Sequence, residues 1–154
     1  MSLLASTQET QGILALSGTG SGIFHIENCK IVDVIGGWGS LIGDEGSGYY
    51  IGAKGLSAAV AYHEGWGRKT IIKEQILLSW NLENLLDIIK LIHRAPVPRT
   101  VIASAAKVVS DSARLGDDVA KEILHDAGEF LWLQTDAIIR RNSIKGRINV
   151  SIRS

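Results

Sequence analysis

Short apolar runs separated by turn residues occupy the first quarter of the chain. The run 12–16 is followed by a segment of alternating glycine and hydroxyl residues, and the run 23–26 by a turn at Asn28-Cys29-Lys30 and the run 31–35. Runs of this length between glycine and asparagine turns are typical of β-strands. The pattern therefore predicts a three-stranded antiparallel meander.

Apolar positions with a helical period begin near Ser47 and continue through most of the remaining chain. They predict four helices, over 47–65, 76–92, 101–109 and 117–140. Ile148, Val150 and Ile152 then alternate with polar residues and predict a last strand. The order β-β-β-α-α-α-α-β predicts an α/β domain with a mixed sheet.

Length and charge limit the classes of function. The 154 residues suit one domain, in which we distinguish a leader (1–11), strands with glycine-rich loops (12–67) and a helical part with the last strand (68–154). Sixteen basic and sixteen acidic residues give no net charge, which argues against a nucleic-acid partner. No apolar run approaches the roughly 20 residues that cross a membrane, and a lone Cys29 favours a reducing compartment. We therefore expect a cytoplasmic protein without nucleic-acid or membrane partners.

The glycines concentrate the candidate chemistry, because 14 of the 17 lie between Gly12 and Gly67. The first glycine loop, residues 17–22, reads Ser-Gly-Thr-Gly-Ser-Gly and offers backbone N–H groups and hydroxyls that suit phosphate oxygens. It has neither the lysine of a Walker loop nor the strand-turn-helix context of a dinucleotide fingerprint. The alternative interpretation is a flexible hairpin turn.

The second glycine loop, residues 36–48, contains Trp38 between two glycines and Asp44 further along. A tryptophan ring can lie over the apolar face of a sugar, and a carboxylate can accept hydrogen bonds from neighbouring sugar hydroxyls. The alternative makes Trp38 a core residue and Asp44 the N-cap of the helix that follows.

Taken together, the two loops resemble those of a known family. The segments Ser17-Gly18-Thr19-Gly20-Ser21, Gly36-Gly37-Trp38-Gly39 and Gly43-Asp44-Glu45-Gly46-Ser47-Gly48-Tyr49 are similar to motifs of the N-acetylglucosamine kinases. These belong to the BadF/BadG/BcrA/BcrD-type ATPases, within the actin, Hsp70 and sugar-kinase superfamily. Leu115-Gly116-Asp117 gives weaker support. The resemblance covers nearly the whole chain after the first ten residues and implies a ribonuclease H-like, actin-like lobe.

The resemblance also implies ligands and contact residues. The intact enzyme would transfer a phosphoryl group from ATP, with Mg²⁺, to a hydroxyl of an amino sugar. The implied nucleotide-binding residues are Gly18, Thr19 and Gly20 of a second phosphate loop, with Gly116 near the nucleotide. The implied sugar-binding residues are Ser21, Gly22, Gly37, Trp38, Gly39 and Asp44.

Family members further carry an Asp-Gly-Gly-Thr strand, a catalytic aspartate in an Asn-Asp-Ala setting and a late Gly-Gly loop for adenosine. This sequence shows none of the three. The resemblance therefore implies the truncated C-terminal lobe of a two-lobe kinase, with no catalytic residue of its own and little or no activity alone. Trp66, Trp80 and Trp132 are expected either in the core or at an exposed seam that the other lobe would cover. Bare apolar surface at such a seam would favour homodimer formation.

Two other classes of function stay open at this point. One is a domain that senses a sugar or nucleotide, or has a structural role, without catalysis. The other is an ATPase that activates a dehydratase, but that class would need cluster-binding cysteines, and Cys29 stands alone. The four histidines share no ligand spacing, so we expect no metal site of the chain's own.

Overall fold

A four-stranded mixed sheet forms one side of the molecule in a computed structural model, which describes residues 12–94, 98–145 and 150–153. The strands are β1 (Gly12–Ser17), β2 (Ser21–Glu27), β3 (Lys30–Gly36) and β4 (Val150–Arg153), in the order β3-β2-β1-β4. The first three pair antiparallel, and β4 lies parallel to β1. The predicted meander and mixed sheet are confirmed, while the predicted leader and Ile148 lie outside the described residues.

The turn between β2 and β3 is a two-residue hairpin. Asn28 and Cys29 both have positive φ, 50° and 60°, and Glu27 pairs with Lys30. Positive φ at both central residues gives the turn the twist that antiparallel strands require. Lys30, which the sequence assigned to the turn, is the first residue of β3.

Between β3 and β4, the described residues form five helices. Their bounds are α1 (Gly48–His63), α2 (Ile72–Ser79), α3 (Asp87–Arg94), α4 (Pro98–Arg114) and α5 (Asp118–Arg141). The predicted starts of α1 and α5 are confirmed by their N-caps, because Ser47 Oγ accepts from Tyr50 N and the Asp117 carboxylate accepts from Ala120 N.

The prediction of one helix over 76–92 is wrong. Helix α2 ends at Ser79, and Asn81 has a φ of 50°, a left-handed conformation that stops a helix. Apolar spacing continues across this break, since Trp80 and Leu82 pack against the same core as the helices. Helix α4 is also longer than predicted, because Pro98 is its first residue rather than a breaker.

Two apolar clusters hold the layers together. Ile13, Ala15 and Ile23 of the sheet pack with Ile138 of α5. The larger cluster lies among the helices, where α1 and α4 approach closely at Gly52, whose missing side chain leaves room for the Ile102 carbonyl. The sheet and the helical layer thus meet through α5, beside the loops that carry the candidate site.

Within the described residues, no helix combines the length and apolar character needed to cross a membrane.

Candidate functional site

The two glycine loops lie against each other at one end of the sheet. The first connects β1 to β2, and the second connects β3 to α1. Hydrogen bonds join them, among them Ser17 Oγ to Gly46 O (2.7 Å), Ser21 Oγ to Glu45 O (2.8 Å) and Gly48 N to Gly18 O (2.8 Å). The serines of the first loop therefore bind the backbone of the second, so the first loop is not simply a flexible turn.

Asp44 is the buried carboxylate at this junction, with its side chain 3% exposed. Its Oδ1 accepts a hydrogen bond from Ser21 N at 3.2 Å, and its backbone is left-handed, with φ of 66°. The backbone carbonyl of Asp44 accepts from Ser47 N. Since Ser47 caps α1, the interpretation of Asp44 as the N-cap is wrong.

The other oxygen of the carboxylate, Oδ2, is paired with Arg99, which sequence reasoning missed. Arg99 lies in the first turn of α4, 55 residues from Asp44, and its side chain is 40% exposed. A cation is unfavourable at a helix N-terminus, because the helix dipole is positive there. That mismatch was the available signal that Arg99 has a partner elsewhere in the fold.

Gly20 is a glycine because Arg99 approaches it. A Cβ on Gly20 would lie 2.7 Å from Arg99 Nη2 and 3.1 Å from both Asp44 carboxylate oxygens. Its φ does not lie in the left-handed region. A Cβ at this position would require the Arg99 guanidinium to shift.

The remainder of the first loop presents backbone amides that can donate hydrogen bonds to oxygen atoms. Gly18 N donates to Gly20 O at 2.9 Å, which closes the loop on itself. Thr19 is exposed, and within the described ranges neither its amide nor that of Gly20 donates to a protein acceptor. These two N–H groups fit the oxygens of a phosphate. Ser21 and Gly22 begin β2, where Gly22 pairs with Gly36 of β3.

Trp38 stands at the outer edge of the second loop. It is 75% exposed, so the interpretation of Trp38 as a core residue is wrong. Gly37 and Gly39 on either side have φ of 76° and 86°, and a Cβ on either would meet nothing within 4 Å. They are needed for their backbone conformation, which turns the ring outward. Leu41 and Ile42 of the same loop are also exposed.

Gly116 lies far from these loops. It follows α4, whose 17 residues extend about 25 Å from the end that carries Arg99. Its φ of 97° and the hydrogen bond from its amide to Ala113 O identify it as the glycine that terminates the helix. The predicted nucleotide contact of Gly116 stays a prediction.

A cavity of about 200 Å³ lies beside the second loop and the first turns of α1. None of the predicted sugar-binding residues lines it; its lining is Ser40, Gly43, Tyr49, Tyr50, Ala53, Lys54 and Ser57. Burial, together with the negative charges of Asp126 and Glu45, raises the pKa of the Tyr50 hydroxyl above its usual 10.0. The hydroxyl therefore stays protonated at neutral pH.

The described residues suit the phosphates of ATP better than they suit its magnesium ion. The loop amides can donate hydrogen bonds to phosphate oxygens, but the Asp44 carboxylate is already bound by Arg99 and the Ser21 amide. Elsewhere, the ligand atoms of His125, Asp126 and Glu129 lie within 4.8 Å of one another on α5. All three are exposed, and exposed acidic groups often cluster without a metal ion, so the expectation of no metal site stays a prediction.

A family model described as the BadF/BadG/BcrA/BcrD ATPase family matches residues 1–151. The chain belongs to this family. The membership inferred from the glycine motifs is therefore confirmed.

Two curated relatives are kinases of amino sugars. An N-acetylmuramic acid/N-acetylglucosamine kinase of Clostridium acetobutylicum is 36% identical over 147 residues, which are 96% of this chain and 48% of the relative. An N-acetyl-D-glucosamine kinase of Dictyostelium discoideum is 30% identical over 134 residues, 84% of this chain and 41% of the relative. The chain thus spans less than half the length of either relative.

Two solved structures show the same fold. Both are provisionally named N-acetylglucosamine kinase. The protein from Chromobacterium violaceum has a TM-score of 0.79 at 23% identity, covering 99% of this chain and 50% of that one. The protein from Porphyromonas gingivalis has a TM-score of 0.70 at 20% identity, covering 93% and 47%. The predicted α/β fold of an actin-like ATPase lobe is confirmed.

Proposed function

We propose that this chain forms the sugar- and phosphate-binding part of an ATP-dependent amino-sugar kinase, with N-acetylglucosamine as the first candidate substrate. The observation that carries the proposal is the junction of the two glycine loops. Asp44 accepts a hydrogen bond from Ser21 N at 3.2 Å, beside the amides of Thr19 and Gly20. A hydrogen-bond acceptor for a sugar and donors for a phosphate therefore lie side by side, as transfer between the two requires.

The sugar would be oriented by Asp44 and Trp38. An ionised carboxylate has about four lone-pair positions, of which Ser21 N and Arg99 occupy two, so acceptor capacity remains for a sugar hydroxyl. The exposed Trp38 ring offers a flat apolar surface for the sugar's C–H face. Gly37 and Gly39 would hold that ring at the outer edge of the second loop.

The nucleotide would meet the first glycine loop. Its N–H groups would hold terminal phosphate oxygens, where negative charge is distributed during transfer. Bound ATP supplies the phosphoryl group, and its magnesium ion neutralises charge on the phosphates. The chain's own contribution is to place the sugar hydroxyl and the phosphate within reach of each other.

Tryptophan fluorescence tests the proposal. Adding N-acetylglucosamine to the chain should change the emission of Trp38 saturably, whereas glucose should have a much weaker effect. The matched control uses two single variants, Trp38→Phe and Trp66→Phe, since both rings are exposed, 75% and 73%. Only Trp38→Phe should abolish the response. A chain that responds saturably to no hexosamine would contradict the proposal.

A further inference from the structure

We propose that Arg99 binds an oxyanion, either a phosphoryl group or a carboxylate, at the junction of the two glycine loops. The inference rests on the proposed function for the position of the ligands. It adds a binding residue that belongs to neither loop and that supplies the positive charge of the site.

The position of the Arg99 guanidinium supports this proposal. Arg99 Nη2 lies 2.7 Å from the point that a Cβ of Gly20 would occupy, and the same guanidinium contacts Asp44. It therefore lies beside both the proposed phosphate loop and the proposed sugar acceptor. A ligand group that reaches the junction from either side meets this guanidinium.

Arg99 also has hydrogen-bond donors that the pair with Asp44 leaves unused. A guanidinium carries five N–H donors, and the pair with Asp44 uses Nη2. Arg99 Nε is buried, yet among the described residues it has no hydrogen-bond partner. A buried donor without an acceptor is costly, and a ligand oxygen would satisfy it.

The balance of donors and acceptors indicates the chemistry of that ligand. The junction offers several donors: the amides of Thr19 and Gly20 and the remaining N–H groups of Arg99. Its carboxylate acceptor, Asp44, is already paired with Arg99. Because donors outnumber acceptors at this junction, a ligand group that only accepts hydrogen bonds suits it. Phosphoryl and carboxylate groups have this character and match the planar guanidinium.

Two ligands of the proposed kinase could supply such a group. One is ATP, through a terminal phosphate held by the first loop. The other is an acidic amino sugar, since N-acetylmuramic acid differs from N-acetylglucosamine by a substituent that ends in a carboxylate. Both sugars occur in the name of the Clostridium acetobutylicum relative.

The test is titration calorimetry of the chain with four ligands: N-acetylglucosamine, N-acetylmuramic acid, ADP and inorganic phosphate. The variants are Arg99→Gln, Arg99→Lys and the control Arg114→Gln, which removes an exposed arginine at the far end of α4. Arg99→Gln should weaken the anionic ligand about tenfold or more relative to the neutral sugar, the usual effect of a charge-assisted hydrogen bond. Arg99→Lys keeps the charge and should fall in between, and Arg114→Gln should match the wild type.

The results separate the two sources and the two proposals. Loss of the preference for N-acetylmuramic acid over N-acetylglucosamine assigns Arg99 to a sugar carboxylate, and loss of ADP and phosphate binding assigns it to phosphoryl oxygens. Equal weakening of neutral and anionic ligands, or no change, would overturn the inference while the sugar site stands. Binding of phosphate that depends on Arg99, without binding of either sugar, would support the inference and contradict the proposed function. A wild-type chain that binds none of the four ligands would overturn both.

Discussion

Arg141, the last residue of α5, forms a two-pronged ion pair with Asp33 of β3 across 108 positions of the sequence. Arg141 Nε donates to Asp33 Oδ2 at 2.8 Å and Nη2 donates to Oδ1 at 2.6 Å. Asn142 Nδ2 adds a third bond at 2.7 Å. These contacts join the end of α5 to the outer antiparallel strand of the sheet.

The Asp33 contacts predict a dependence of stability on acid. Hydrogen bonds from Arg141 and Asn142 lower the pKa of the Asp33 carboxyl from 3.8 to about 2. The stabilisation is therefore present above about pH 4 and is lost as the pH falls towards 2. Asp33→Asn should lower the melting temperature at neutral pH and show a smaller further loss between pH 4 and 2. Thermal unfolding at several pH values measures this, and Asp118→Asn, at an exposed position, is the control. If the melting temperature falls equally between pH 4 and 2 in Asp33→Asn and the wild type, the Asp33 contacts are not the source of the acid dependence.

Close packing of α1 on α4 predicts that an ordinarily helpful substitution is harmful at Gly52. Alanine usually stabilises a helix relative to glycine by roughly 0.5–1 kcal/mol. A Cβ at Gly52 would overlap the backbone carbonyl of Ile102, which cannot move aside without shifting α4. Gly52→Ala should lower the free energy of unfolding by about 1–3 kcal/mol. Gly128→Ala is the matched control, since it adds a Cβ in open space on α5 and should raise stability. Urea denaturation measures the free energy of unfolding of both variants. A Gly52→Ala variant more stable than the wild type would contradict the close packing of α1 on α4.

Local signals in the sequence predicted the parts of the fold that depend on neighbouring residues. Asn28-Cys29-Lys30 marked the hairpin, and apolar spacing placed the starts of α1 and α5 near Ser47 and Asp117. The cap of α1 was misassigned to Asp44, whereas Ser47 caps the helix. The break at Asn81 was missed, because apolar spacing continued through it.

The candidate site was predicted in part. Family motifs singled out the two glycine loops, and the structure brings them together through Ser17 and Ser21. Arg99 was missed because its partner is 55 residues away. A cation in the first turn of a helix signals a distant partner, but no local pattern specifies which residue that partner is. The steric role of Gly20 was missed as well, because it depends on the position of the distant Arg99 side chain.

Asp117 is predicted to stabilise more than one element. Its Oδ1 accepts from Ala120 N at 2.8 Å as the cap of α5, and its Oδ2 accepts from Ile71 N at 2.7 Å, just before α2. Asp117→Ala leaves both amides without this acceptor and should cost about 2–4 kcal/mol of unfolding free energy. Asp117→Asn retains one acceptor oxygen and should lose less. Urea denaturation of both variants measures the two losses, and equal losses would show that the acceptor oxygen retained by asparagine contributes nothing.

The chain by itself is predicted to release ADP slowly in the presence of N-acetylglucosamine and Mg-ATP. Phosphoryl transfer needs a base near the sugar hydroxyl, and the carboxylate identified in the described part of the site, Asp44, is held by Arg99. A coupled assay for ADP measures turnover, with a reaction lacking sugar as control. Turnover at typical kinase rates of about 1–100 s⁻¹ would contradict the prediction.

Finally, the two partners of the Asp44–Arg99 pair should not be equally important for stability. Removing Arg99 leaves a carboxylate that is 3% exposed without its countercharge, whereas removing the Asp44 charge leaves an arginine that is 40% exposed and can turn towards water. Breaking a fully buried pair by removing one partner costs about 3–5 kcal/mol. Solvent screening at Arg99 reduces this, so Arg99→Ala should cost about 1–3 kcal/mol. Asp44→Asn keeps an oxygen for Ser21 N and should cost clearly less. Urea denaturation of the two variants, with Arg114→Ala as the exposed control, tests the order, and a larger loss in Asp44→Asn would show that Asp44 stabilises the loops independently of Arg99.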